Sequence, residues 1–392
     1  MKRILLVWPY HRKDWIHVFT HFDRDVEFHY LSYIHQTLDP SDPADRPRHV
    51  HYWSDFKSAL QVFESIRPSK VIFMSIDSGL SIALNAVAKQ QSIPTYILQH
   101  GLFTNYRDYR TREKLWRKAS LGKAVESAKK NVKFNSIGFL RASLRNPILL
   151  FRVFLHAYVS RRSGPYFANR YFSFEAKQPD FYICFSKANA RIYEELDRPD
   201  AGKFIFTGSP ELDSYLAPVE RSPVQERYLL HIDQAMAENS FGEETVSKED
   251  MISFYGKLNE LALRMNVRLF IKLHPESYQT KWLPQHENIT YLRATPDLQA
   301  YLQRAELCTG FYSTLMIPAV YWNKVILFNV YYSYVQEVLS KIPHVVVVPF
   351  FEFDPSTIII PPSPEEGREQ LKSYFYAFDG KSAERIKKVL YA

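Results

Sequence analysis

"KVIFMSIDSGLSIALNAVAKQQSIPTYILQHG", residues 70–101, holds a short apolar run, a helix-spaced segment from Ser78, and a second apolar run that ends in Gln99-His100-Gly101. Two nearly all-apolar strands around an amphipathic crossover describe a parallel β-α-β unit, because such strands are covered on both faces. The alternation extends outward. RILLVWP, VEFHYLSY and a helix around DFKSALQVFESIRP precede the unit, and DFYICFS, the helix KANARIYEELD and the strand KFIFTGSPELD follow it. After YLAPVERSPVQER, with its two prolines and mixed charges, a second series begins. It reads YLLHID, a helix SKEDMISFYGKLNELALRMN, VRLFIKLHP, ITYLR, a helix PDLQAYLQRA, ELCTGFYS, a helix STLMIPAVYWN, KVILFN and HVVVVPF.

The expectation is an α/β protein of two doubly wound, Rossmann-like domains, residues 1–216 and 228–392, with 217–227 as the linker. Ligands of such sheets bind beyond the carboxyl ends of the strands, so two domains facing across a cleft would place the site there. The closing helix SAERIKKVLYA is a candidate to cross back onto the first domain.

Composition bounds the function. A chain of 392 residues with 46% apolar and 15% aromatic content is a folded protein with room for more than one core. Cys184 and Cys308 both sit in apolar runs and are too few for a disulfide framework, which fits a reducing cytoplasm. The first apolar run is too short for a signal peptide, and the richest membrane candidate, NPILLFRVFLHAYVSRR, is broken by Arg152 and His156.

The net charge of +8 is unevenly spread: residues 107–170 carry sixteen Lys or Arg against Asp108, Glu113 and Glu126, a local +13 that leaves the remainder at −5. This basic segment, an insert of about 107–172 in the first domain, spaces apolar residues at helical intervals between its cations. That is the form of an amphipathic surface helix or helical pair able to lie on an anionic membrane, or of a cationic rim on an ordinary hairpin. No nucleic-acid recognition motif accompanies it, so no nucleic-acid partner is expected.

Four strand ends carry polar groups that a buried strand seldom ends on. They are Gln99 and His100 before Gly101, Asp233 followed by Gln234, Lys272 and His274 before Pro275, and Ser313 with Thr314 at the expected start of a helix. Glu276 and Ser209 lie beside such ends and complete the candidates. Ser313 and Thr314 would lead a phosphate-binding turn, with His274 and Lys272 as further donors to a diphosphate or a nucleotide monophosphate. Asp233 could act as nucleophile or base, and His100 as acid, base or hydrogen-bond donor. Each also has a plain structural reading, as a cap, a turn residue or a satisfied hydrogen-bonding side chain. No glycine-rich P-loop or dinucleotide fingerprint is present, which argues against ATPase and NAD-dependent chemistry.

KLHP, followed some forty residues later by Ser-Thr, resembles the His-Pro and Ser motifs of bacterial GT-B glycosyltransferases of surface polysaccharide synthesis. Polysialyltransferases, CDP-glycerol glycerophosphotransferases and Kdo transferases are among them. The resemblance implies that His274 and Ser313 hold the phosphate of a CMP or CDP leaving group. LQHG is similar to the His-Gly motif of the glycerophosphotransferases, implying a catalytic or acceptor-side role for His100. LLHIDQ, together with LQHG and KLHP, resembles the retaining β-Kdo transferases most, which implies a covalent sugar adduct on Asp233. The basic stretch has no counterpart in these motifs, and the acidic motif of the polysialyltransferases is missing, which lowers sialic acid as donor.

The expected function is therefore transfer of Kdo from CMP-Kdo to a lipid-linked lipopolysaccharide O-antigen or capsular acceptor. The enzyme would be cytoplasmic and peripheral on the inner face of the plasma membrane. Inverting transfer of sialic acid or glycerol phosphate, with Asp233 or His100 as base, stands as the alternative. A non-catalytic glycan- or membrane-binding protein on the same scaffold is the alternative of another class. No cofactor and no metal are expected for the transfer, since no Asp-x-Asp sits at a strand end.

Overall fold

The computed structural model describes residues 2–10, 16, 18–19, 26–32, 46–101, 104–111, 113, 136–220, 224–238, 246–295 and 297–392. The chain divides into two compact units, Met1–Tyr106 with Ser127–Glu211 and Phe375–Ala392, and Arg107–Glu126 with Leu212–Tyr374.

In the first unit, strands β1 (Lys2–Val7), β2 (Val26–Ser32), β3 (Val50–Tyr52), β4 (Lys70–Phe73), β5 (Thr95–Leu98), β6 (Phe181–Cys184) and β7 (Phe204–Phe206) form one sheet. Their order is β3-β2-β1-β4-β5-β6-β7 with every pair parallel. Strand β1 shows why the sequence reads as continuous apolar runs. Its Leu5 and Val7 enter one core with helices Ala59–Ile66 and Gly79–Gln90, while Ile4 and Leu6 enter a second core on the opposite face. Ser58, Ser78 and Ser186 cap their helices through side-chain oxygens, each such cap being worth about 1 kcal/mol.

The closing helix, Ser382–Tyr391, belongs to this first unit and covers the second face of its sheet with Ile386 and Leu390. Lys2 Nζ donates to the Tyr391 carbonyl at 2.7 Å and Lys70 Nζ to that of Val389 at 3.2 Å, so two cations satisfy the open end of the helix. Its start presses on Gly208, which has φ of +79°; a Cβ there would lie 2.4 Å from Ser382 Oγ. Only glycine suits both the backbone and the space.

The basic segment is helical where it is described, with helices Ser136–Ser143, Pro147–Ser163 and Pro165–Tyr171; residues 112 and 114–135 of it lie outside the described residues. Arg107 groups with the second unit, where its guanidinium stacks over the Tyr332 ring at 4.0 Å. In helix Pro147–Ser163, Val153 and His156 face inward, whereas Ile148, Phe151, Leu155 and Tyr158 are exposed beside Arg152 and Arg162.

The second unit carries β8 (Tyr228–Ile232), β9 (Arg268–Lys272), β10 (Ile289–Leu292), β11 (Leu307–Gly310), β12 (Val325–Asn329) and β13 (Val345–Pro349), all parallel in the order β10-β9-β8-β11-β12-β13. Helix Lys248–Arg264 is opened by a Ser247/Asp250 capping box and turns Met251, Phe254, Tyr255 and Leu258 onto the sheet. The proposed linker is anchored before residues 221–223, which are not described. Val219 N donates to Gln303 Oε1 at 2.8 Å, and Gln303 Nε2 to the Ala217 carbonyl at 2.6 Å.

Candidate functional site

In the second unit the strand order reverses between β8 and β11, the position at which doubly wound sheets open a crevice at their carboxyl edge. Ile232 pairs with Lys272 of β9 on one side and Gly310 of β11 on the other. Asp233, Leu273 and Phe311 therefore leave three neighbouring strands side by side. Gly310 makes the approach possible: a Cβ there would fall 3.0 Å from the Ile232 carbonyl oxygen and 2.5 Å from Met316 Sδ.

Asp233 is a buried carboxyl group at this edge. It is 4% exposed, its N–H donates to the Lys272 carbonyl at 2.9 Å, and Tyr255 Oη donates to its Oδ1 at 2.9 Å. Burial pushes its pKa up to about 6, against the lowering effect of hydrogen bonds from Tyr255 and the main chain of His274 and Gln234. The contact with His274 joins HIDQ to KLHP directly. Beneath it, His231 Nδ1 lies 2.9 Å from Thr309 Oγ1, and burial lowers its pKa to about 3, so the ring is neutral. Its Nε2 has no hydrogen-bond partner among the described residues.

His274 follows β9 as the cap of the short 3-10 turn Pro275–Ser277, and its Nδ1 accepts from Glu276 N at 3.4 Å. The imidazole is 38% and the Glu276 side chain 56% exposed, so both present themselves to solvent. Lys272 is differently placed from what its sequence position suggests: Nζ donates to the Leu273 carbonyl at 2.7 Å and to Tyr278 Oη at 3.1 Å. Its charge is anchored to the turn that comes after it. Gln234 Oε1 is buried without a hydrogen-bond partner among the described residues.

Ser313 and Thr314 do not cap the helix they were expected to start. The helix is Met316–Trp322 with Leu315 in the cap position and no side-chain cap, and Ser313 Oγ accepts from Leu315 N at 3.4 Å in the preceding turn. Pro318 explains the shift. Starting the helix after Ser313 would put proline where a helical N–H is needed, whereas starting at Met316 puts it in the first turn, where that N–H has no helical partner. Both hydroxyl residues thus lie on a loop just past β11, half-buried.

The three candidates of the first unit are held otherwise. Gln99 is buried and spends both ends of its amide inside the unit, Nε2 donating to Asn189 Oδ1 at 2.7 Å and Oε1 accepting from Phe185 N at 3.0 Å. That makes it a brace between β5 and β6. His100 Nδ1 lies 3.0 Å from Glu211 Oε1, with the ring edge-on to Trp8 at 6.1 Å, and Gly101 turns the chain with φ of +79°. Ser209 Oγ is buried with no hydrogen-bond partner among the described residues.

Tyr255 and His231 were not singled out from the sequence. Tyr255 lies on the apolar stripe of its helix and reads as core, and His231 is the fourth residue of an apolar strand. A groove of about 520 Å³ lined by Lys257, Glu260, Phe351 and Asp354 contains none of the candidates.

Among solved structures, the chain resembles a putative UDP-N-acetylglucosamine 2-epimerase from Listeria monocytogenes, with a TM-score of 0.52 and 12% identity over 99% of this chain and 95% of that one. It also resembles MurG from Acinetobacter baumannii, with a TM-score of 0.50 and 9% identity over 100% and 99% of the two chains. At these identities the likeness is one of fold: an α/β protein of two Rossmann-like domains, of the GT-B type. No family model matches the chain, and no curated protein matches it by sequence.

Proposed function

We propose that the protein is a glycosyltransferase whose second unit binds the phosphate of a nucleotide-sugar donor at the carboxyl edge of β9, β8 and β11. The observation that carries this reading is the convergence of Asp233, His274 and the Ser313–Thr314 loop on adjacent strands at the point where the order reverses. His274 and the Ser313 hydroxyl supply donors to the leaving phosphate. Lys272 contributes by fixing the turn that presents His274.

The motif set favours Kdo from CMP-Kdo as the donor. Asp233 as carboxylate attacks the anomeric carbon, the bond to the CMP oxygen breaks, and CMP leaves with the electron pair. The acceptor hydroxyl then displaces Asp233 with loss of its proton to a base, and the configuration is retained. An inverting route with Asp233 or His100 as base uses the same donor cradle. No metal is assigned to the transfer.

The acceptor is proposed to be a lipid-linked glycan. The exposed Ile148, Phe151, Leu155 and Tyr158, flanked by Arg152 and Arg162, suit insertion at an anionic surface. No helix among the described residues is long and apolar enough to cross a membrane. Peripheral attachment to the cytoplasmic face of the plasma membrane is the proposed location.

Intact-protein mass spectrometry with CMP-Kdo tests the chemistry. A sugar adduct on the wild type that is lost in Asp233→Asn supports the retaining route. Full transfer activity in Asp233→Asn would remove Asp233 from either mechanism. A thermal-shift screen of CMP-, CDP- and UDP-sugars tests the donor, because a ligand bound only by the folded chain raises its melting temperature.

A further inference from the structure

The geometry points to a divalent transition-metal site, of the zinc type, formed by Glu27, His29 and His49 at the outer edge of the first unit's sheet. β2 pairs with β3 in parallel, with Tyr30 opposite Val50 and Leu31 opposite His51. The Tyr30 N–H also bonds the His49 carbonyl at 2.8 Å, so the pairing continues below β3. Residues two apart on a strand share a face. Glu27 and His29 from one strand, and His49 and His51 from the other, are therefore gathered on the same side.

The donor atoms already converge. His49 Nε2 lies 2.7 Å from Glu27 Oε1, His29 Nε2 lies 3.3 Å from Glu27 Oε2, and the three ligand atoms are all within 4.8 Å of one another. Four-coordinate zinc with bonds of about 2.0–2.1 Å needs ligand atoms roughly 3.3 Å apart, a spacing these separations bracket. His29 is also set for the role by its other nitrogen: Nδ1 lies 2.9 Å from His51 Nε2. A proton on Nδ1 donated to His51 leaves the Nε2 lone pair aimed at the site, the outer hydrogen bond by which metal-bound imidazoles are oriented.

Arg3 Nε donates to Glu27 Oε2 at 3.1 Å and steadies the carboxylate from the β1 side. Two imidazoles and one carboxylate, with a fourth position for water, are a donor set for zinc rather than for calcium or magnesium. The cluster stands at the amino ends of β1, β2 and β3, away from the carboxyl edge where doubly wound sheets bind substrate. Its role is to clamp the three-residue edge strand β3 onto β2.

The test is calorimetric titration of Zn²⁺ into untagged full-length protein stripped with EDTA, alongside the visible spectrum of the Co²⁺-loaded protein. One Zn²⁺ per chain with submicromolar affinity, and Co²⁺ bands of a four-coordinate site, are expected. His49→Gln and Glu27→Gln, each shown to be folded by circular dichroism, should lower the affinity at least 100-fold. His274→Ala should bind the metal as the wild type does. Absence of stoichiometric binding at micromolar Zn²⁺, or unchanged affinity in both His49→Gln and Glu27→Gln, would overturn the site.

Discussion

The two sheets share the order in which strands turn back beside the first, yet they hold the polar groups at their carboxyl edges differently, apart from Ser209 of the first unit, whose Oγ is buried without a hydrogen-bond partner among the described residues. In the first unit Gln99 is matched at both ends of its amide and His100 is held by Glu211. In the second, Asp233 is buried with a raised pKa, Gln234 Oε1 and His231 Nε2 have no hydrogen-bond partner among the described residues, and His274 reaches solvent. A satisfied polar group stabilises the fold; a buried carboxylate of raised pKa is a cost that folding tolerates where chemistry needs it. The contrast separates braces from candidate chemistry within one topology.

Asp233→Asn attacks that contrast hardest. The variant should lose at least about 10³-fold in turnover, in line with removal of a covalent nucleophile or essential base. It should also become more stable. The folded-state pKa of about 6 exceeds the ordinary 3.8, so between those values the folded chain holds a proton that the unfolded chain has released. Stability from this group thus falls as pH rises from about 4 to 6, and the penalty is complete above that. Chemical denaturation at pH 7.5 should show a gain on the order of 1–3 kcal/mol for the asparagine variant.

Gln99→Ala should do the reverse, costing roughly 2–3 kcal/mol of stability because Asn189 Oδ1 and the Phe185 N–H are left unpaired in the interior. Nucleotide affinity in that variant should stay within about twofold of wild type at a temperature where it is folded. A tenfold loss of nucleotide affinity at full stability would instead make Gln99 a ligand-binding residue.

Activity as a function of pH gives a smaller effect. If the Asp233 carboxylate is the reacting form, kcat/KM should fall toward tenfold per pH unit below about pH 6 and level off above it. A profile flat from pH 5 to 8 would separate Asp233 from the rate. Smallest is Lys272→Met, expected to weaken nucleotide binding by only about threefold, since its ammonium is already bound to Leu273 and Tyr278.

Much of this was legible in the sequence because apolar runs and helical periodicity survive whatever packs around them. Strand β3 escaped because three residues carry no period, and with it went the face shared by Glu27, His29, His49 and His51. The bracing role of Gln99 depends on Asn189 and Phe185, far along the chain, and no local pattern announces such a partner. Ser313 and Thr314 looked like helix caps until Pro318 was counted against the helical hydrogen bonds. Residue type pointed to Asp233 and His274; burial and hydrogen bonding then told them apart from Lys272, whose type alone suggested the same chemistry.

The most direct test of the donor cradle is calorimetric titration of the wild type and of His274→Ala with CMP, CDP and UDP. Saturable binding of at least one nucleotide, weakened about 10- to 100-fold in His274→Ala by loss of a hydrogen bond to a charged phosphate, is the predicted result. Binding of none of the three, or equal affinity in the two proteins, would contradict it.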